Sequence, residues 1–195
     1  RAFQCCRTLT SINIPDGVTA IGSFAFEECN RLTSITIPES VTSFGYNPFY
    51  ECVNLENFSG EYASADGRCI IIDNTLVSFA PKGLTSYTIP QGVTQIGTCA
   101  FSECDDLISV TVPEGVTKLG DSAFDLCDNL LSVYLPETLT AIDNYAFDYC
   151  VSLSDVYINT SGLVTLGGSR VFDNNASDRK IHVKSSSFVA YKRAQ

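Results

Sequence analysis

Leu32-Thr33-Ser34-Ile35-Thr36-Ile37-Pro38 decides how the rest of the chain is read. Ile35 and Ile37 alternate with polar residues, the pattern of a half-buried strand. Pro38 has no N–H to donate and ends the ladder. The stretch then recurs. The Leu that opens it stands at Leu9, Leu32, Leu55, Leu84, Leu107, Leu130 and Leu153, with steps of 23, 23, 29, 23, 23 and 23 residues. Three further columns keep the same register. They are Pro15, Pro38, Pro90, Pro113 and Pro136; Phe3, Phe26, Phe49, Phe101, Phe124 and Phe147; and Cys6, Cys29, Cys52, Cys104, Cys127 and Cys150. Coincidence does not hold four columns in register.

Each period contains further punctuation. Pro15-Asp16-Gly17 and Pro113-Glu114-Gly115 carry turn chemistry. A second short extended piece follows, as in Val18-Thr19-Ala20-Ile21 and Val116-Thr117-Lys118-Leu119. Gly22, Gly45, Gly97 and Gly120 are read as permitting the next bend. Ala-Phe-x-x-Cys has its apolar residues at helical spacing, which predicts one helical or 3₁₀ turn. No single period can bury its own apolar residues, but stacked periods can, through a continuous core. The expected architecture is about seven stacked units with parallel strands along one face.

The pattern resembles the BspA-type leucine-rich repeats of surface proteins from anaerobic oral and gut bacteria. The repeat length, the Ile-Pro step, the Ile-Gly step and the Ala-Phe-x-x-Cys end all match, from Ala2-Phe3 to about Tyr191. The resemblance implies a leucine-rich repeat solenoid over 1–195. Residues 61–83 look like the variant unit such proteins carry, with Asp73-Asn74 between two apolar runs as the hairpin signal. Residues 178–195 look like the terminal unit, a strand followed by a short helix, which would cap the stack. Family members commonly have Pro where this chain has Lys184. Because the chain starts inside a unit, the native protein is expected to continue upstream. The resemblance also implies a bacterial cell-surface or secreted setting.

Composition narrows the function. The 195 residues include 12 Lys+Arg against 22 Asp+Glu, a formal net charge of −10. That balance argues against nucleic acid, whose phosphates need clustered cations, and against anionic membrane surfaces. No apolar run is long enough to span a bilayer. The single histidine, His182, leaves no Ser-His pair or His-rich metal site. It is expected to be an exposed strand residue, with Ile181 and Val183 facing the core. Zinc is disfavoured because C-x₂-C pairs are absent, and no Cys has a His partner for nucleophilic chemistry. Neither cofactor, metal nor catalytic residue is expected.

The cysteine column is read as small buried hydrophobes pointing the same way, which suits a ladder rather than disulfides. Cys5, Cys69 and Cys99 lie outside it, and a disulfide among them stays open. Glu28, Glu51 and Glu103, with Glu27, Asp125 and Asp148 beside them, could form a calcium ridge. They are read instead as a solvated face, since calcium needs six to eight converging oxygens. A glycosidase-like pair of carboxylates would need a cleft that the repeat does not supply.

A ligand would meet the outward residues of the strand row. Most are small hydroxyls, suited to strands in their own right. Asn13, Thr36, Thr88 and Thr111 occupy the column that holds Tyr134 and Tyr157 nearer the C-terminus, with Asp155 in the neighbouring column. Tyr134 and Tyr157 are expected side by side, and such a pair could stack on a sugar or anchor a protein. Ile108 and Leu131 add apolar character near that end. The expected function is non-enzymatic adhesion, with protein or glycan on a host or neighbouring cell as partner. The alternative is a spacer that presents another domain.

Overall fold

A computed structural model describes residues 1–168 and 170–184. The chain winds as a coil of short strands joined by turns, and each circuit has three sides.

The first side is the Ser-Ile-Thr-Ile row. It comprises β2 (Ser34–Ile37), β4 (Asn57–Gly60), β7 (Ser86–Thr88), β9 (Ser109–Thr111), β11 (Ser132–Leu135), β13 (Asp155–Ile158) and β15 (Lys180–Val183). The second side is built from short strands: β1 (Ala20–Ile21), β3 (Ser43–Phe44), β8 (Gln95–Ile96), β10 (Lys118–Leu119), β12 (Ala141–Ile142) and β14 (Thr165–Leu166). The hairpin β5 (Cys69–Ile72) and β6 (Thr75–Phe79) joins that side. All pairings between circuits are parallel, and the hairpin is antiparallel. The alternation reads directly into burial. Ile35, Ile37, Val133 and Leu135 point inward, and their polar neighbours point outward. Leu32, Leu55, Leu107, Leu130 and Leu153 are fully buried.

The third side departs from the expected helical turn. Among the described residues it contains turns and no helix. The reason is visible in Phe24–Cys29. The amides of Phe24, Phe26 and Glu28 donate to the carbonyls of Tyr46, Pro48 and Tyr50 in the next circuit, at 2.8–3.0 Å. The intervening amides of Ala25, Glu27 and Cys29 close local turns onto Gly22, Phe24 and Phe26. A helix would direct every amide along its own axis and leave the neighbouring circuit unpaired. The alternation requires left-handed backbone at Phe24 and Glu28 (φ 54° and 55°), and again at Ser122, Leu126, Tyr145 and Tyr149. Such residues cost roughly 1–2 kcal/mol each, which the bonds between circuits offset.

The glycines serve two purposes. Gly17 and Gly115 (φ 98° and 102°) make the turn after the proline. Gly120 has no such φ, so it does not act as the conformational bend expected of it. A Cβ there would lie 2.9 Å from the Ile96 carbonyl oxygen, so its role is close approach of one circuit to the last.

The hairpin turns at Asp73-Asn74, both left-handed (φ 47° and 60°), as a two-residue hairpin loop demands. It divides the core into two clusters. Ile70 and Ala80 belong to the N-terminal cluster, and Cys69, Leu76 and Phe79 to the C-terminal one. The sheets divide likewise. β1–β3 and β2–β4 form two-stranded sheets, against a six-stranded sheet from β5 to β14 and a five-stranded sheet from β7 to β15. Of the expected terminal unit, only the strand lies among the described residues. β15 pairs with β13, and 185–195 fall outside them. Ile181 is exposed rather than inward, on a strand whose one partner among the described residues is β13, while Val183 packs against the core.

Candidate ligand-binding face

The first side presents its polar column to solvent, and the hairpin divides it. In the N-terminal part Asn13 bridges to Thr36, and the Thr36 hydroxyl bonds Ser59 at 2.7 Å. In the C-terminal part Thr88, Thr111, Tyr134, Tyr157 and His182 lie in register across successive strands. Asn13 and Thr36 therefore sit on a different sheet from Thr88, Thr111, Tyr134, Tyr157 and Asp155.

Parallel register places equivalent side chains one strand spacing apart, about 4.8 Å. The Tyr134 and Tyr157 rings stack at 4.6 Å between centroids, 3° from parallel. His182 continues the stack on Tyr157 at 4.4 Å and 10°. The imidazole Nε2 is 2.7 Å from Asp155 Oδ1. Bonds from His182 and Ser154 hold the Asp155 carboxyl below its usual range. Desolvation, chiefly, and then the negative charge of Asp155 push the Tyr157 hydroxyl up. His182 is the exposed strand residue that the sequence predicts, and it is also a member of this stack. Its place in the tyrosine column, opposite Tyr157, was the signal for a third ring.

Ile108 and Leu131 are exposed beside this sheet. With Asp105, Asp106, Asn129 and Ser152 they line a shallow recess of about 270 Å³.

The cysteine column does more than fill space. The thiols of Cys29, Cys52, Cys127 and Cys150 each donate to the carbonyl of the Phe one circuit back, at 3.0–3.2 Å. Asn175 takes the same place in the last circuit, its Nδ2 donating to the Phe147 carbonyl at 2.6 Å. Cys6 and Cys104 stand outside this pattern in the structure. Cys6 is half-buried against the N-terminal cluster, and the Cys104 thiol donates weakly to the Ser102 carbonyl at 3.9 Å. All nine cysteines are free thiols, including Cys5, Cys69 and Cys99. Cys69 lies 3.2 Å from the Tyr87 hydroxyl, and the Cys99 thiol donates to the Tyr46 hydroxyl at 2.9 Å.

The acidic column is only partly the solvated face expected of it. Arg7 pairs with Glu28, and Asp148 is buried, accepting from Asn174 at 2.9 Å. Glu103 accepts from the Tyr50 hydroxyl across the hairpin junction. Burial, with Glu51, Asp105 and Asp125 nearby, pushes the Glu103 carboxyl up to about 7. Burial and Asp148 raise Asp125 to about 6. Among the described residues no three His, Cys, Asp or Glu side chains are disposed to hold a metal ion, and no helix is long and apolar enough to cross a membrane.

Stacked circuits of about 23 residues, with a parallel row on one side and a Phe-Cys column on another, define a leucine-rich repeat solenoid. The chain belongs to the BspA-type leucine-rich repeat family, whose pattern matches residues 1–64 and 75–193 in six copies. Among solved structures, a leucine-rich cell-surface protein from Faecalibacterium prausnitzii is 25% identical with a TM-score of 0.59. That match covers 97% of this chain and 64% of the other. The pneumococcal vaccine antigen PcpA superposes with a TM-score of 0.67 at 22% identity, over 92% of this chain and 58% of its own, a likeness of fold. A leucine-rich repeat protein from Bacteroides capillosus is 26% identical with a TM-score of 0.52, over 64% of this chain and all of its own. The chain thus spans less than two thirds of the first two. No curated protein sequence matches it.

Proposed function

We propose that the chain is a non-enzymatic binding module of a bacterial surface protein, which holds a protein or glycan of a host or neighbouring cell on its strand face. The observation that carries this reading is the stack of Tyr134, Tyr157 and His182 on an otherwise hydroxyl-lined surface. Exposed aromatics are the side chains that dominate recognition elsewhere. The repeat fold leaves the strand face free, because the core lies on its other side. Surface placement is supported by the family and by the F. prausnitzii protein, which is a cell-surface protein.

The test is a screen of the purified chain against host matrix proteins and a glycan array, with Tyr134→Ala/Tyr157→Ala in parallel. The reading expects a ligand that the double variant loses. A ligand that the variant keeps would move the site off this face. Binding to nothing would favour a spacer, a reading supported by the short hydroxyls of the N-terminal face.

A further inference from the structure

The three rings are not equivalent. Tyr157 is covered on one face by Tyr134 and on the other by His182, and is only half-exposed. Tyr134 is 41% exposed. One of its faces lies against Tyr157. The other looks toward its register partner Thr111, and beyond that to Thr88, both short and exposed. The column therefore drops from a tall ring to a low floor between β11 and β9. Tyr134 is the wall of this step. Ser86, Thr88, Ser109 and Thr111 are the floor, two strands or roughly 10 Å wide.

We infer that this step is a subsite for one neutral pyranose ring of a glycan, its C–H face against the free face of Tyr134 and its hydroxyls on the floor. This rests on the binding-module reading above and names its ligand class. The π face of tyrosine is negative and the C–H edges of a sugar are positive, so a flat wall suits such a ring. The floor's hydroxyls each donate and accept, as sugar hydroxyls do. Charge decides between ligand classes. The four floor residues are neutral, and the chain carries −10 overall, which opposes an anionic sugar. A lysine or arginine of a protein partner would want a carboxylate at the step. In the outward columns of this sheet the acid is Asp155, which lies beyond Ser132, on the far side of the wall, and is engaged by His182.

The experiment titrates neutral gluco-, galacto- and manno-oligosaccharides, and separately an oligolysine peptide, into wild type, Tyr134→Ala and Thr111→Tyr. Calorimetry reads the affinity, and thermal midpoints check that each variant folds. Thr111→Tyr adds a ring and removes none. It should extend the stack and fill the step, on a strand where tyrosine is well tolerated. The inference expects oligosaccharide binding that weakens by roughly tenfold or more in both variants. Retained or stronger binding in Thr111→Tyr would put the sugar on the ring edges and overturn the step. Retained binding in Tyr134→Ala would overturn the wall. Binding of oligolysine alone would overturn the sugar and leave the binding module standing. Binding of neither probe, with an empty protein and glycan screen, would remove both.

Discussion

The stretches on either side of the hairpin use one repeat and differ in what they have made of it. Before the hairpin, Phe3, Phe26 and Phe49 stack at 5.2 and 5.4 Å, the sheets are two strands wide, and the outer column holds Asn13, Thr36 and Ser59. After it, Phe101, Phe124, Phe147 and Phe172 stack at 4.8–5.3 Å, the sheets are five and six strands wide, and the column turns aromatic. The inward columns are nearly unchanged across the break while the outward column is free to vary. The residues that hold the fold and those proposed for recognition thus differ on the same strand.

The comparison can be broken by measurement. The largest effect is expected from Phe124→Ala, which opens a cavity between two stacked rings and should cost about 3–5 kcal/mol in urea denaturation. Phe3→Ala, at a ring already 37% exposed, should cost far less. Because the clusters are separate, hydrogen exchange on Phe124→Ala should quicken after residue 84 more than before residue 60. Equal quickening on both sides would mean that the hairpin does not divide the fold.

Next come the thiols. Cys127→Ala removes the shorter of two bonds to the Phe101 carbonyl, which keeps the Cys104 amide at 3.3 Å, and should cost about 1–2 kcal/mol for the lost bond and packing. Cys104→Ala, at the junction, loses no such bond and should cost less. Identical costs would return the column to simple packing.

The junction itself should respond to pH. Glu103 holds its proton more tightly folded, with its pKa raised to about 7 from 4.5. Its contribution is therefore fully present below about 4.5 and is lost as pH rises through about 7. The carboxyl is about half solvent-screened, so the loss should be about 1–2 kcal/mol. Glu103→Gln should flatten the fall in thermal midpoint between pH 5 and 7.5, while Asp125, raised in the same sense, keeps a residual slope. An unchanged slope would place the effect at Asp125 alone. The smallest effect belongs to Ser34→Ala, outward on β2, at well under 1 kcal/mol.

Most of the architecture could be read in advance because each circuit puts one residue of each kind in each column. Asp73-Asn74 announced the hairpin by the same local logic. The third side misled because Ala-Phe-x-x-Cys spacing also fits a coil whose amides alternate between neighbours. That choice depends on a partner circuit, which no single repeat reveals. The thiol-to-carbonyl bonds were hidden for the same reason, although Asn175 in the cysteine column hinted at a donor. Tyr46 with Cys99 and Tyr50 with Glu103 meet across 53 residues only because the hairpin circuit lacks a Phe-Cys turn between them. On the outer face the column placed Tyr134 beside Tyr157, but not the orientation of the rings. Stacked rings hide each other's faces, so the tyrosine pair, with His182 on Tyr157, offers one open face rather than four.

The junction has a mechanical consequence. Within each half, neighbouring circuits are joined by backbone bonds on all three sides. On the turn side of the junction, two side-chain links stand where the Phe-Cys ladder would run, beside a void of about 20 Å³ that would hold one water. Under tension along the stack, as for a tethered molecule in flowing fluid, this is the joint that yields first. The chain would lengthen by parting its halves while the circuits within each stay wound.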